Sequence, residues 1–304
     1  MTTESNTLFV LTGPTGVGKT QLSLDIAQRL NSPIINADSR QIYRHMPIGT
    51  ASPTTTQRAL AKHYFVDQLE LDQYYSAAEY ESEVMKLLPQ LFQATSNLLL
   101  TGGSMLYIDA VCNGIDDIPT VDPQTRATLK QRLHNEGLES LCEELKRLDP
   151  THYNRVDLHN HKRVIHALEI CLMTGKPYSS FLKQKPKERP FKIVKIGLNR
   201  PRDILFERIN KRVDQMMNDG LEQEALQLYP LRHLNSLNTV GYKELFTYFD
   251  GEWDLDTAIE KIKRNTRVYA KKQLTWYKKD PSMIWFDAEN PRAVIDYIDS
   301  VKNK

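Results

Sequence analysis

Long hydrophobic runs are missing from this 304-residue chain. Its apolar stretches, such as Leu98-Leu99-Leu100, last only a few residues. A bilayer-spanning helix needs roughly 18 or more. The first residues also lack the apolar or arginine-rich block of a targeting peptide. We therefore expect no transmembrane segment, no membrane partner and a cytoplasmic location.

Cysteine is scarce, and an excess of charge of one sign is absent. The three cysteines, Cys112, Cys142 and Cys171, form no Cys-x-x-Cys pair of the kind that binds zinc or exchanges disulfides, so we interpret them as reduced, buried thiols. Forty basic residues stand against 38 acidic ones, which gives a net charge of +2. Any attraction to nucleic acid must therefore come from local clusters of basic residues.

Short β-like runs alternate with stretches of helical periodicity in the first part of the chain. The runs lie at 8–11, 33–37 and 97–100, and the helical stretches include 20–30 and 77–93. This alternation is typical of an α/β fold with a parallel sheet wrapped by helices. Ligands of such sheets bind at the carboxyl ends of the strands, so the residues that follow the strands are the candidates for a site.

The character of the sequence changes in its middle. Between 118 and 189 the β-like runs vanish and only helical periodicity is left, until a β pattern returns at 192–198. We therefore predict an all-helical insertion domain, 118–189, within a P-loop core domain made of 1–117 and 190–304.

A glycine-rich motif separates the first predicted strand from the first predicted helix. The pattern G-x-x-x-x-G-K-[ST] is matched in full by Gly13, Pro14, Thr15, Gly16, Val17, Gly18, Lys19 and Thr20. In such a P-loop, backbone N–H groups surround phosphate oxygens, the lysine adds a cation and the last hydroxyl is available to Mg²⁺. We predict that the loop binds a diphosphate, with Thr20 as the Mg²⁺ ligand. The alternative is a glycine-rich turn without a ligand.

The acidic residue that usually accompanies a P-loop is missing. NTP-hydrolysing enzymes carry an acid at the end of a later strand, where it helps to hold Mg²⁺. The third predicted strand ends instead in Thr101, Gly102 and Gly103. A motor or switch ATPase is therefore not expected, and the loop suits a diphosphate that leaves.

Asp38 follows the second predicted strand. A parallel sheet would place its carboxylate near the P-loop, where it could accept a proton from a bound nucleophile. We interpret Asp38 as a candidate general base. The alternative is an aspartate that caps a following helix through Ser39, Arg40 and Gln41.

Further motifs extend nearly from end to end of the chain. They lie at 13–20, 36–43, 75–80, 101–107, 174–177, 240–244 and 266–276. Together they resemble the bacterial tRNA dimethylallyltransferases, also called tRNA isopentenyltransferases. The P-loop motif occurs in many folds, whereas Asn-Ala-Asp-Ser combined with Tyr-Ala-Lys-Lys-Gln-x-Thr-Trp is far more specific. Small departures are visible, since Ser104-Met105 replaces the usual Thr-Gly and His166 replaces an arginine.

The resemblance implies transfer of a dimethylallyl group from dimethylallyl diphosphate to N6 of the adenosine 3′ of the anticodon, in tRNAs that read codons beginning with U. It implies Asp38 as the base, Thr101 as a hydroxyl on the leaving-group side, and Arg212 as the arginine that stabilises the diphosphate. Adenine N6 is a weak nucleophile, so a base and neutralisation of the leaving charge suit this reaction. For Arg212 the alternative is a solvated helix arginine.

The resemblance also implies a surface for the tRNA anticodon stem-loop. The candidate contacts are Asp38, Ser39, Arg40, Gln41, Thr101, Arg126, Lys162, Arg163, His166, Gly241, Arg264, Arg267 and Lys271. The last three lie within 261–279, which contains eight basic residues and no acid. An ordinary solvated lysine face is the alternative there.

Two other functions compete with prenyl transfer. A P-loop small-molecule or nucleoside kinase would consume an NTP, and a non-catalytic RNA-binding module would have no use for Lys19, Thr20 and Asp38 together. We expect a monomer.

Overall fold

The computed structural model describes residues 6–182 and 186–302. Within these ranges the strands are β1 (Thr7–Thr12), β2 (Ile34–Asn36), β3 (His63–Tyr64), β4 (Asn97–Thr101), β5 (Lys192–Asn199) and β6 (Ile284–Asp287). They form one sheet in the order β3-β2-β4-β1-β5-β6, in which all neighbours are parallel. The predicted α/β fold with a parallel sheet is confirmed.

Helices account for most of the remaining chain. In the described residues they are α1 (Lys19–Leu30), α2 (Pro47–Thr50), α3 (Thr55–Leu60), α4 (Ala77–Leu91), α5 (Met105–Asn113), α6 (Pro123–Leu148), α7 (Pro150–Tyr153), α8 (His161–Thr174), α9 (Arg202–Asn218), α10 (Leu221–Leu228), α11 (Tyr242–Phe249), α12 (Leu255–Tyr277) and α13 (Pro291–Lys302). No helix among them is both long and apolar enough to span a membrane.

The apolar residues of β1 divide between two cores. Leu8 and Val10 belong to one buried cluster, and Phe9 and Leu11 belong to another. Successive side chains of a strand point to opposite faces, so both faces of the sheet are covered. This burial on both sides explains why β1 is a continuous hydrophobic run.

The register of the sheet brings three strand ends together. Thr101 at the end of β4 pairs with Leu11 of β1 on one side and with Asn36 of β2 on the other. The P-loop follows β1 and Asp38 follows β2, so the two candidate elements flank Thr101.

The chain forms two compact units. One unit runs to Cys112 and resumes at Glu188, and the other comprises Asn113–Lys187. The second unit has its own core around Leu129, Leu145 and Leu168. Its ends are joined by the backbone N–H of Lys187, which donates to the carbonyl of Asn113 (2.7 Å). These boundaries lie slightly before the predicted 118 and 189, and the assignment of two functional domains stays a prediction.

Local features differ from the sequence-based expectations. The edge strands β3 and β6 were not predicted, because β3 has only two residues and β6 only four. Within the region 118–189, which was predicted to be helical, α6 is interrupted at Gly137, whose φ of 81° and ψ of 169° are not helical. The residues after Asp38 form turns instead of the capped helix considered as an alternative.

Candidate active site and basic surfaces

The P-loop is held from outside by two arginines. Arg200 Nε donates to the carbonyl of Val17 (2.9 Å), and Arg208 Nε donates to the carbonyl of Gly16 (3.0 Å). Gly18 has a φ of 115° and precedes α1, a conformation that favours glycine. The first N–H groups of α1 have no partner within the helix and are therefore available to an anion.

Lys19 folds back onto the P-loop. Its Nζ donates to the carbonyls of Gly13 (2.8 Å) and Pro14 (3.0 Å). Burial is the main cause that lowers the pKa of Lys19 to about 7, and the positive charge of the nearby Arg212 adds to it. The negative charge of Asp38 acts in the opposite direction. A bound anion would supply the negative charge that favours the protonated amine.

Thr20 is the exposed residue at the end of the P-loop motif. The described residues contain no group of three or more His, Cys, Asp or Glu side chains that could hold a metal ion. Mg²⁺ commonly keeps several waters and binds through few protein groups together with substrate phosphates. A single hydroxyl beside a phosphate-binding loop therefore fits a Mg²⁺ ion held mainly by a diphosphate and water.

The two carboxylate oxygens of Asp38 have different surroundings. Oδ1 accepts hydrogen bonds from the backbone N–H groups of Arg40 (2.9 Å) and Gln41 (3.3 Å). Oδ2 accepts no hydrogen bond from any described residue, and it lies beside Gly103. Asp38 thus shapes the following turn with one oxygen and leaves the other free to take a proton.

The corner after β4 is tightly packed against the loop that carries Asp38. A Cβ atom on Gly102 would lie 2.1 Å from the carbonyl oxygen of Ala37, so only glycine fits there. Ser104 Oγ accepts from the N–H of Ser39 (2.8 Å) and donates to Ser39 Oγ (3.1 Å). The serine at this departure from the family pattern therefore ties the two loops together.

Thr101 Oγ1 donates to the carbonyl of Leu11 (3.0 Å), which leaves its lone pairs to accept.

Arg212 reaches the P-loop from α9. Its Nη1 donates to Thr15 Oγ1 (3.4 Å), and the side chain is half-buried, so it is not a solvated helix arginine. Burial lowers the pKa of Arg212, and Asp38 opposes this effect. A cavity of about 1130 Å³ is lined by the P-loop together with Asp38, Thr101 and Arg212. The structure thus brings these predicted residues to one site.

A second cavity of about 420 Å³ also borders Asp38 and Arg212. Part of its wall is apolar, formed by Ile209, Val213, Met216, Leu221, Val240 and Ile262. Gly241 lies in the same wall. An apolar wall beside a carboxylate and a guanidinium suits a ligand that combines a short hydrocarbon with a polar group.

The side chains of Arg40 and Gln41, both predicted tRNA contacts, make hydrogen bonds to neighbouring loops. Arg40 Nη1 donates to the carbonyls of Asn235 (2.9 Å) and Ser236 (3.0 Å). Gln41 Nε2 donates to the carbonyls of residues 50 and 51 at 3.0 and 3.1 Å. Both side chains therefore hold neighbouring loops in place, and Gln41 keeps only its oxygen for an outside partner.

Helix α12 supports both interpretations of its basic residues. Arg264 and Lys271 are exposed. Arg267 Nη1 instead donates to Asn210 Oδ1 on α9 (2.5 Å), and Lys263 pairs with Asp214 (2.8 Å). Only part of the basic cluster is therefore available to an outside anion.

The sequence interpretation gave no role to Gln273, although this residue lies within the motif at 266–276. Its side chain is 1% exposed. Oε1 accepts from the N–H of Thr15 (2.8 Å), and Nε2 donates to the carbonyl of Gly103 (2.7 Å). The only sequence signal was its place in a family motif.

The remaining predicted tRNA contacts lie in the unit Asn113–Lys187. They are Arg126, Lys162, Arg163 and His166. The buried Glu169 accepts from Arg126 Nε (3.2 Å) and lies 3.4 Å from His166 Nδ1. A cavity of about 840 Å³ in this unit is lined by Lys162, Arg163 and His166, together with Tyr178. The unit thus presents a basic cavity of its own.

A family model described as IPP transferase matches residues 41–280. This chain belongs to the IPP transferase family. It is 59% identical over 293 residues to tRNA dimethylallyltransferase 2 of Parabacteroides distasonis, with 96% of this chain and 98% of the relative covered. It is 60% identical over 294 residues to tRNA dimethylallyltransferase 1 of Bacteroides fragilis, with 97% and 98% covered. The predicted family resemblance is confirmed.

Solved structures of the IPP transferase family share the fold. The tRNA isopentenylpyrophosphate transferase of Bacillus halodurans superimposes with a TM-score of 0.71 at 35% identity, covering 98% of this chain and 97% of that one. A eukaryotic dimethylallyltransferase acting on tRNA gives a TM-score of 0.84 at 25% identity, covering 99% and 80%. The kinase alternative is not favoured by these comparisons.

Proposed function

We propose that this chain transfers a dimethylallyl group from dimethylallyl diphosphate to N6 of the adenosine 3′ of the anticodon, in tRNAs that read codons beginning with U. The observation that carries this proposal is the shared cavity of the P-loop, Asp38, Thr101 and Arg212. One part of that cavity suits a diphosphate, and the other offers a carboxylate oxygen to a nucleophile. The names of the relatives, which cover nearly the whole chain, support tRNA as the acceptor and dimethylallyl as the group that is transferred.

One bond forms and one breaks in the proposed reaction, and each change needs a different group of the site. The N6 atom forms a bond to the allylic carbon, and the bond from that carbon to the diphosphate oxygen breaks, with its electron pair leaving on the diphosphate. The proton of N6 passes to Oδ2 of Asp38, which the described residues leave free. Thr101 borders the leaving group, and its hydroxyl, which donates to the carbonyl of Leu11, can turn to donate to an oxygen of the diphosphate.

The leaving diphosphate is stabilised by preorganised positive charge. Lys19 and Arg212 supply cations, and the P-loop supplies N–H groups. Because the charge on the leaving oxygen grows as the bond breaks, these groups act more strongly in the transition state than in the ground state. Mg²⁺, held on the protein side by Thr20, would add charge neutralisation at the diphosphate.

Two basic surfaces are proposed to bind the tRNA anticodon stem-loop. One lies in the core domain and includes Arg264, Arg267 and Lys271, with the turn at 38–41 and Gly241 closer to the reacting adenosine. The other lies in the helical insertion domain and includes Arg126, Lys162, Arg163 and His166. Phosphate contacts of this kind position an RNA without reading its bases. We also propose that the enzyme acts as a monomer in the cytoplasm.

The decisive experiment offers the purified protein dimethylallyl diphosphate and unmodified tRNA without any nucleoside triphosphate. Digestion of the tRNA and mass analysis of the nucleosides should reveal a dimethylallylated adenosine at the position 3′ of the anticodon. A tRNA with another base at that position is the matched control and should stay unmodified. Product that forms only when ATP is added would contradict the proposal and favour a kinase.

A further inference from the structure

Gln273 connects two parts of the site that have different tasks. Its Oε1 accepts a hydrogen bond from the N–H of Thr15 in the P-loop (2.8 Å), and its Nε2 donates a hydrogen bond to the carbonyl of Gly103 (2.7 Å). Gly103 belongs to the corner after β4 that is packed against the loop carrying Asp38. A single side chain therefore spans from the diphosphate loop to the neighbourhood of the base.

The contacts around Gly103 leave this residue little room to move. A Cβ atom on Gly103 would lie 2.8 Å from Gln273 Nε2 and 3.8 Å from Asp38 Oδ2, so the amide and the carboxylate both lie close to this glycine, near the position that a side chain would occupy. The next residue, Ser104, donates its N–H to the carbonyl of Ala37 (3.0 Å), directly before Asp38. A shift of Gly103 would therefore be transmitted to Asp38 through a chain of short contacts.

Burial strengthens this coupling. Gln273 is 1% exposed, so water cannot replace either hydrogen bond. The carbonyl of Gly103 also accepts from the hydroxyls of Tyr277 (3.3 Å) and Tyr269 (3.4 Å), but these distances are longer. Gln273 is thus the closest partner of Gly103 and joins it to Thr15.

We propose that Gln273 is a positioning residue, which sets the separation between the diphosphate in the P-loop and the Asp38 carboxylate. This inference rests on the proposed prenyl transfer. Misplacement of reacting groups by about 1 Å can cost roughly 10²-fold in rate. The loss should appear in kcat, because both polar atoms of the Gln273 side chain bind groups within the protein and each half of the site keeps its own binding groups.

The test compares Gln273→Glu with the wild type. The carboxylate of Gln273→Glu still accepts from Thr15 but cannot donate to Gly103, so kcat should fall by about 10²-fold at neutral pH. The KM values for tRNA and for dimethylallyl diphosphate should stay close to those of the wild type. Burial raises the pKa of a glutamate, and the protonated form can donate to Gly103 again. The ratio of variant to wild-type kcat should therefore rise as the pH falls.

Two further variants serve as controls for the positioning role of Gln273. Gln273→Met removes both hydrogen bonds at similar volume and should lower kcat at every pH, without recovery in acid. Tyr277→Phe removes only one of the longer contacts to Gly103 and should change kcat by less than about threefold. All variants are checked for tRNA binding and for thermal unfolding.

The outcomes separate this inference from the proposed function. If the wild type makes no prenylated tRNA, the proposed function fails. If the wild type is active and Gln273→Glu keeps its kcat, loses activity only through KM, or shows a pH-independent ratio, the positioning role is wrong. Loss of folding in both Gln273 variants would also overturn it, because Gln273 would then be purely structural.

Discussion

At the scale of single residues, the two carboxylate oxygens of Asp38 suit different tasks, because one shapes the following turn and the other can take a proton in the proposed reaction. Its Oδ1 accepts from two backbone N–H groups, and its Oδ2 is left free by the described residues. The first task fixes the orientation of the second oxygen without using it. A carboxylate held in this way is preorganised to receive a proton.

Replacement of Asp38 by asparagine separates these tasks. Asp38→Asn keeps an oxygen that can accept from Arg40 and Gln41, so the turn and the binding of tRNA and pyrophosphate should be preserved. Single-turnover transfer should slow by about 10²-fold or more, because an amide cannot take the N6 proton. Asp38→Ala, which also loses the turn, is the comparison and should impair binding as well. A wild-type rate in Asp38→Asn would show that another group is the base.

Lys19 should bind a proton together with the diphosphate. Its pKa of about 7 means that the side chain loses its proton near neutral pH. A bound diphosphate favours the protonated amine and raises the pKa, so binding above pH 7 takes up protons until the pH approaches the raised pKa. Calorimetry of pyrophosphate binding in buffers of different ionisation enthalpy measures this uptake.

Lys19→Arg provides the control for that measurement. Arginine stays charged over the whole range, so the variant should bind without this uptake, while the ionisation of pyrophosphate itself contributes equally to both proteins. The affinity of the wild type should fall more steeply with rising pH than that of Lys19→Arg. Equal proton uptake in both proteins would contradict a lowered pKa of Lys19.

At the scale of elements, the sequence predicted the parts of the site that follow buried strands. β1, β2 and β4 are apolar runs followed by a P-loop, an aspartate or a glycine pair, and the parallel sheet dictates that their ends meet. The short edge strands β3 and β6 carry too few residues for a periodic pattern. Gln273 was missed because a buried glutamine in a basic helix has no local signature, and its partners Thr15 and Gly103 are distant in sequence.

Helix α12 illustrates why charge patterns alone do not define a binding surface. Arg264 and Arg267 lie three residues apart on this helix. Arg264 is exposed, whereas Arg267 donates to Asn210, two residues before Arg212 on α9. We therefore expect the two arginines to have different roles.

Alanine variants should separate the two arginines. Arg264→Ala should raise KM for tRNA by about several-fold and leave kcat at saturating tRNA unchanged, as expected for a phosphate contact. Arg267→Ala should also lower kcat, because it releases the part of α9 that carries Arg212. Steady-state kinetics with each substrate varied in turn distinguishes these results. Identical profiles for the two variants would mean that the contact with Asn210 does not support Arg212.

At the scale of the whole molecule, the net charge of +2 conceals two basic regions. One contains Arg264 and Lys271 in the core unit, and the other contains Lys162 and Arg163 in the unit Asn113–Lys187. Acidic residues elsewhere balance them, so the global charge gives little indication of an RNA substrate. Long-range attraction is limited to about 8 Å at physiological salt, which makes local charge decisive.

The dependence of tRNA affinity on salt should therefore report both regions separately. Each phosphate contact that is removed should flatten the slope of log K against log salt by about 0.7–0.9. We expect the pairs Arg264→Ala with Lys271→Ala and Lys162→Ala with Arg163→Ala each to flatten the slope. If both regions bind the same tRNA at once, the quadruple variant should show the sum of the two effects. Lys86→Ala with Lys302→Ala removes exposed lysines outside both regions and should leave the slope unchanged. A slope that responds to only one pair would confine the RNA surface to that unit, and a slope that responds to neither would contradict phosphate binding by these residues.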